Sequence, residues 1–278
     1  MRAATAGRFA RRRRSRGFPA SPRSPALARP LTLSPVPTPQ PQFPFRSVMP
    51  LRERRRVTGI ESVGPYTLVR VDRGNLDAGV PGQFFMVEAP GRVLPRPFSL
   101  CLAEAGELAF LIDAIGPGTT AIAEVSVGDS LHVFGPLGNG FRLDVERPVL
   151  VGGGIGIAPF PFTRSVLGAG TPVVLGFRNS HFAEAAALLP GAEVVIDPVL
   201  VTEALPAGRD ILACGPEPML EAIRRIDPAA QLAWEAPMAC GYGACFGCVV
   251  EIDGTLKRLC LEGPVIGGAP AVFPAVPA

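Results

Sequence analysis

The sequence predicts three parts in series: an antiparallel β-barrel over 51–147, a doubly wound α/β domain over 148–230, and a small four-cysteine module over 231–268. Three observations carry this. Between 55 and 150, short alternating strands such as Thr67-Leu-Val-Arg-Val71 and Gln83-Phe-Phe-Met-Val-Glu88 are punctuated by Gly64-Pro65, Pro81-Gly82, Gly116-Pro117-Gly118 and Gly135-Pro136. Regular short strands with turn signals are the pattern of a small barrel. From Pro148 the apolar run Val149-Leu-Val151 meets Gly152-Gly-Gly-Ile-Gly-Ile-Ala-Pro-Phe160, a strand–glycine–helix turn of the dinucleotide- or phosphate-binding kind. Strands at Pro172–Phe177, Glu193–Ile196 and Asp210–Ala213 then accompany helical stretches at Phe182–Leu189 and Pro218–Ile226, which argues for a parallel sheet. The third observation is Cys240, Cys245, Cys248 and Cys260.

These cysteines are spaced C-x4-C-x2-C with eleven residues before the fourth. That is the plant-type spacing for a [2Fe–2S] cluster. Four thiolates converging on two irons need a tightly curled chain, and Gly241, Gly243 and Gly247 permit positive φ. Zinc and disulfides are the alternatives. Zinc sites usually pair two short knuckles, and disulfides need an oxidising compartment, whereas no signal-peptide core is visible. Cys101 and Cys214 are expected as small buried residues. A cluster moves single electrons, so the chain is expected to relay them.

A length of 278 residues suits about two domains, and 47% apolar residues suffice for their cores. No apolar run is long enough to span a membrane. His132 and His181 are the only histidines, so acid–base chemistry by side chains is not expected and no catalytic residue is assigned. Residues 1–52 hold eleven arginines and no acid, leaving 16 basic against 24 acidic residues in 53–278, a net of −8. Residues 1–50 are expected to be a disordered Arg/Pro-rich extension. Arg11–Arg14 and the prolines there admit four readings: an idle tail, a mis-called start with Met49 as initiator, a targeting peptide, or a nucleic-acid-binding run. The first two are favoured, because 26 arginines against one lysine suggest GC-rich coding with spurious upstream starts. Residues 269–278 read as a tail.

This order of parts resembles the ferredoxin–NADP reductase superfamily, so the expected fold is ferredoxin-reductase-like. Within it, residues 55–266 resemble the iron–sulfur electron-transfer subunits of dihydroorotate dehydrogenase B. Arg96-Pro-Phe-Ser99 resembles the family's R-P-[FYIL]-S flavin motif, which implies that Arg96, Pro97, Phe98 and Ser99 contact FAD, Arg96 at phosphate and Ser99 at the ring. Gly116-Pro-Gly-Thr119 resembles its G-x-G-T turn, implying FAD phosphate contacts from Gly118 and the Thr119 hydroxyl. Leu111, Ile112 and Asp113 fall at further FAD contacts, although the family often has a base where Asp113 stands. Gly135-Pro-Leu-Gly-Asn-Gly-Phe141 is similar to the turn that leads out of the barrel. Cys214-Gly-Pro-Glu-Pro-Met219 is similar to a motif at the nicotinamide end, where the cysteine either faces the flavin–nicotinamide pair or closes a buried strand. Glu235, Met238–Cys248 and Cys260-Leu-Glu-Gly-Pro264 match the cluster motif, which implies that Cys240, Cys245, Cys248 and Cys260 are its ligands.

The resemblance implies one FAD and one [2Fe–2S] cluster per subunit, NAD⁺ as acceptor, and an FMN-bearing catalytic subunit as partner in an α2β2 heterotetramer. It implies a cytoplasmic oxidoreductase of pyrimidine (UMP) biosynthesis, with neither nucleic acid nor membrane as partner. Two other functions remain open: the NAD(P)H-oxidising subunit of another flavin, sulfur or hydrogenase complex, and a non-catalytic redox-sensing module. The third motivates itself from one departure. After Ile196 the family carries a polar Gly-rich loop bordering the nicotinamide nucleotide, and Val195-Ile-Asp-Pro-Val-Leu-Val-Thr-Glu203 lacks it.

Overall fold

The computed structural model describes residues 49–267 except 105 and 253, so the expected N-terminal extension and C-terminal tail lie outside the described residues, apart from Met49 and Pro50. Seven elements build the first part. They are β1 (Leu51–Val63), β2 (Tyr66–Asp72), β3 (Phe84–Glu88), β4 (Arg96–Glu104), β5 (Glu107–Ile112), α1 (Pro117–Ala123) and β6 (Ser130–Leu137). The strands close into a barrel in the order β1-β2-β5-β4-β3-β6, and its pairings are antiparallel. Closure leaves no strand edge to be satisfied elsewhere. Strand β5 shows why Glu-Leu-Ala-Phe-Leu-Ile reads as a nearly continuous apolar run. Leu108, Phe110 and Ile112 fill the barrel, while Ala109 and Leu111 face a second core shared with the α/β part. Both faces are buried, so alternation with polar residues is absent. Phe85 and Phe110 meet edge-on at 5.6 Å inside the barrel.

The α/β part begins with β7 (Pro148–Gly153), a 3-10 turn at Gly154–Ile157 and α2 (Phe160–Leu167). It continues with β8 (Val173–Phe177), α3 (Ser180–Ala183), β9 (Glu193–Ile196), β10 (Asp210–Cys214), α4 (Glu217–Ile226) and β11 (Gln231–Ala233). After these come the hairpin β12 (Val249–Ile252) and β13 (Thr255–Arg258), then α5 (Leu259–Glu262) and β14 (Val265–Gly267). The main sheet runs β14-β11-β10-β7-β8-β9, parallel except for β14. Alternate residues of β7 show the double winding: Leu150 packs with Phe160 of α2, Val149 and Val151 with Leu220 and Ile223 of α4. Chain order reverses between β7 and β10, where open α/β sheets form their ligand crevice.

Two local expectations shift. The helix read over 182–189 is a single α turn, started two residues earlier by the Asn179 side chain accepting from the Phe182 amide (3.2 Å), followed by a 3-10 stretch at Glu184–Leu188. The four-cysteine part, expected from 231, begins and ends inside the main sheet: β11 pairs with β10, and β14 adds to β11. Residues 234–264 are thus an insertion between two strands. Three-residue strands leave too short a pattern to be read from sequence. Among the described residues no helix is long and apolar enough to cross a membrane.

Candidate functional site

A cavity of about 420 Å³ opens between the barrel, the carboxyl end of the sheet and the insertion. Its walls include Pro97, Phe98 and Ser99 of β4, Leu111 and Asp113 at the end of β5, and Thr119. Trp234, Glu235 and Met238 close it from the insertion, and Cys214 from β10. Arg96 sits beside it: a Cβ added to Gly118 would lie 2.7 Å from the Arg96 Nε. Only glycine lets that guanidinium lie on the first turn of α1. One Nη of Arg96 donates to the Leu94 and Pro95 carbonyls (3.1 and 3.0 Å), which pins the side chain. The Gly118 and Thr119 amides precede the first intrahelical bond, Thr120 N–H to the Gly116 carbonyl at 2.9 Å, so they face outward without helix partners. A cation, two such amides and a flat apolar wall suit a flavin with its phosphates.

Two expected contacts are placed differently. Ile112 is fully buried in the barrel core, so its side chain does not reach the cavity. It is the strand neighbour of Leu111, and period-two alternation turns it inward. The Thr119 hydroxyl is engaged with the Gly116 amide and carbonyl (3.1 Å each), so it fixes the turn.

A second cavity of about 430 Å³ adjoins the first, sharing Asp113, Ile115 and Ile155. Gly153 and Gly154 line it from the end of β7, Pro216 and Met219 from the start of α4, and Asp197, Val199 and Leu200 from the shortened segment after β9. The cavity therefore exists without the longer loop. Burial, then the nearby Asp113, pushes the Tyr66 hydroxyl up to about 12, so it stays a neutral donor. Burial also raises the Asp113 carboxyl, against the opposing pull of Arg178.

That shift carries a sign. A carboxyl raised in the folded state favours folding while protonated and loses that contribution as pH rises above its ordinary value of 3.8. Asp113→Asn is therefore expected to raise the urea midpoint at pH 7 and leave it nearly unchanged at pH 3. Equal midpoints at pH 7 would contradict the burial of this carboxyl.

The four cysteines of the insertion lie as two pairs. Cys248 and Cys260 are both 2% exposed, with sulfurs 3.2 Å apart. The Cys240 thiol interacts with the Cys245 thiol, and Cys245 is exposed. Burial raises Cys240, but amides of Tyr242, Cys245 and Ala244 and the Cys245 thiol outweigh it and bring it to about 7. Burial and the neighbouring Cys248 push Cys260 up to about 12. Among the described residues no three of His, Cys, Asp and Glu gather around one point as ligands of a single ion. Each iron of a [2Fe–2S] cluster takes two protein ligands, so two pairs of thiols with converging amides suit that group. The loop is held by packing: Gly241 has φ 77°, and a Cβ there would fall 2.5 Å from Met86 of β3. Gly247 does not use positive φ; Phe246 takes φ 58° instead, with the Arg258 guanidinium over its ring at 4.9 Å. Residues strained in this way cluster at functional loops.

Residues 235–269 match the family described as the iron–sulfur cluster binding domain of dihydroorotate dehydrogenase B. The chain is 34% identical over 220 residues to the dihydroorotate dehydrogenase B (NAD(+)) electron transfer subunit of Caldanaerobacter subterraneus subsp. tengcongensis, covering 69% of this chain and 87% of that one. Against the subunit of the same name from Bacillus caldolyticus it is 34% identical over 254 residues, 80% and 99% of the two chains. This chain belongs to the family of dihydroorotate dehydrogenase B electron-transfer subunits. Among solved structures it is similar to the NADH-dependent reduced ferredoxin–NADP oxidoreductase (TM-score 0.65, 22% identity, 76% of this chain and 87% of that one). It is also similar to the ferredoxin reductase of carbazole 1,9a-dioxygenase (TM-score 0.56, 21% identity, 65% and 66%). The fold is ferredoxin-reductase-like.

Within the dihydroorotate dehydrogenase B family reading, motifs far apart in sequence prove to be neighbours. The Gly135–Phe141 turn meets Cys260-Leu-Glu-Gly-Pro264: the Asn139 amide donates to the Gly263 carbonyl, and its side chain donates to the Leu261 carbonyl at 3.2 Å. Sequence reading missed Trp234, the chain's single tryptophan, directly before Glu235. It also missed Tyr66, Arg178 and Asp197, which single-residue patterns do not announce. Cys101 and Cys214 are buried as expected, and burial raises both thiols, Cys101 to about 12. Cys214 ends β10 and also lines the first cavity.

Proposed function

We propose that this chain passes electrons from an FMN-bearing dihydroorotate dehydrogenase subunit to NAD⁺, with Cys240, Cys245, Cys248 and Cys260 holding a [2Fe–2S] cluster and Arg96, Pro97, Phe98, Ser99, Leu111, Asp113, Gly118 and Thr119 holding FAD. When bound, the cluster exchanges single electrons, and the flavin converts single electrons into the pair that NAD⁺ requires. The carrying observation is the serial order of the cavities. Met238 lines the flavin cavity, and the next residues, Ala239 and Cys240, line a groove of about 420 Å³ on the outer side. The flavin cavity in turn shares three residues with the dinucleotide cavity. Phe98 and Trp234 line the flavin cavity at the middle of this path. Arg96 orients the flavin phosphates as a fixed fork. No proton donor is needed from His132 or His181, which both lie on the surface, 49% and 62% exposed.

The outer groove supports a partner that covers the cluster. Val93 is 90% exposed, and Leu94 and Tyr242, also exposed, line the same groove. We place the FMN subunit there, in an α2β2 assembly. Thiols held unpaired for iron suit the reducing cytoplasm.

Absorption of anaerobically purified chain, before and after NADH, tests this. Flavin bands with a broad thiolate–iron shoulder, bleached by NADH, are expected. Intact bands that NADH leaves unbleached would favour the redox-sensing alternative. A colourless zinc protein would overturn the reading.

A further inference from the structure

The start of β1, Leu51-Arg-Glu-Arg-Arg-Arg-Val57, alternates with period two, as a strand must. Glu53 and Arg55 are partly buried on one face. There Arg55 is neutralised by Asp72 and Glu53, at 3.1 and 3.4 Å. Arg52, Arg54 and Arg56 are exposed on the other face. At about 3.3 Å per residue they form a stripe about 13 Å long. Among the described residues one acid pairs with it. The Glu88 carboxylate accepts from Arg52 at 2.8 Å and also faces the His132 Nδ1 at 3.6 Å. Asp129, next to the far end of the stripe, is turned to the Ser126 amide (2.8 Å). Neither the Arg54 nor the Arg56 guanidinium has a hydrogen bond or salt bridge to another described residue. Two positive charges thus stand uncompensated on a body whose sequence from 53 to 278 is net −8.

The stripe is continuous with the cysteine loop. β1 pairs with β6, which sets Phe134 beside Arg52 and His132 beside Arg54. β6 pairs with β3, which sets Met86 beside Phe134. The cysteine loop rests on that surface: Tyr242 meets Phe134 edge-on at 6.2 Å, and Gly241 lies against Met86. Arg52, His132 and Phe134 therefore line the same outer groove as Cys240, Tyr242 and Cys245. A protein that brings electrons to the Cys240–Cys245 pair also covers the near end of the arginines.

Resting on the electron-transfer reading above, we infer that Arg52, Arg54 and Arg56 dock an acidic face of the FMN-bearing subunit, its carboxylates being the matching groups. A guanidinium is a flat fork that takes a carboxylate in two parallel bonds. Exposed charge at the edge of an apolar groove acts mainly on the encounter rate and on register. The acidic remainder of the body repels the same partner, so the stripe selects the one face through which electrons enter.

The test mixes the full chain, carrying its flavin and cluster, with the purified FMN-bearing dihydroorotate dehydrogenase subunit. Affinity by calorimetry, and the rate at which dihydroorotate reduces the cluster, are measured at about 50 and about 500 mM salt. Binding of the unchanged chain is expected to weaken as salt rises. The double variant Arg54→Glu/Arg56→Glu is expected to associate roughly tenfold or more slowly at low salt, with the gap closing at high salt. Arg209→Glu, exposed on the α/β part, is the control. Flavin and cluster bands, and NADH oxidation by ferricyanide, should be the same in all three proteins. A double variant that binds the FMN subunit as fast and as tightly as the unchanged chain would overturn the inference. Loss of duplex DNA binding by that variant, with subunit binding unchanged, would assign the stripe to nucleic acid instead. Failure of the unchanged chain to bind the FMN subunit at either salt, with its bands intact, would sink the electron-transfer reading on which the inference rests.

Discussion

Cys248→Ser and Cys260→Ser are each expected to abolish the iron–sulfur chromophore while the flavin remains bound. The two sulfurs are 3.2 Å apart at 2% exposure, packed in one core with Met86, Leu137 and Trp234. The two cysteines outside the insertion, Cys101 and Cys214, are buried in another core, so neither can substitute for either one. A serine hydroxyl in that position is a poor iron ligand and, unpaired, costs about 1–3 kcal/mol of stability. Iron and acid-labile sulfide should fall to near zero, and the broad thiolate–iron shoulder should vanish. Arg96–Ser99, Leu111, Gly118 and Thr119, residues assigned to FAD, stand on β4, β5 and α1 outside the insertion, so FAD content should hold, and NADH oxidation by ferricyanide should persist through the flavin. Cys101→Ser is the control, since Cys101 is fully buried in a core away from the insertion. Retention of a full cluster in both Cys248→Ser and Cys260→Ser would remove these residues from the ligand set.

Loss of FAD is the expected outcome of Arg96→Ala, and Gly118→Val should reproduce it from the other side of the same contact. Arg96 is pinned by the Leu94 and Pro95 carbonyls and lies against the first turn of α1. Removing a charged hydrogen bond to phosphate costs about 1.5–3 kcal/mol, which is roughly 10- to 100-fold in flavin affinity. A valine at 118 would place branched carbon where the Arg96 Nε now lies at 2.7 Å, and the guanidinium must leave. Flavin-to-protein ratios after gel filtration, with dissociation constants from flavin fluorescence, read both variants. Unchanged affinity in Arg96→Ala would show that the phosphates bind elsewhere. The cluster should be unaffected in each case, which separates this result from general unfolding.

These two results bear on what can be read along a chain. The cysteine pattern is compact because the nine residues from Cys240 to Cys248 must curl around two irons, and its constraint is local enough to survive as spacing. The β7 turn and the Arg96–Ser99 and Gly116–Thr119 segments are legible for the same reason. Each encodes a backbone shape within four to nine residues. The barrel and the parallel sheet are legible as period-two strands between turn residues, and as strands alternating with helices.

Contacts across the fold leave no such record. That Arg96 lies on Gly118, that Asn139 reaches Gly263, and that Trp234 closes the flavin cavity depend on how barrel and sheet pack. Ile112 shows the limit within a single strand: its neighbours Leu111 and Asp113 line the cavity, but the pleat turns it into the barrel. Its apolar side chain fits either place, so composition does not choose. The boundary of the cysteine part is a second case, since β11 and β14 join the main sheet through pairings at long sequence separation. The continuity of the β1 arginine stripe with the cysteine loop is a third. Local spacing fixes the chemistry each segment can hold, because a turn or ligand loop is made of consecutive residues. Which segments face one another is set by burial of whole faces, a non-directional force that many sequences satisfy and that acts only once the chain is folded.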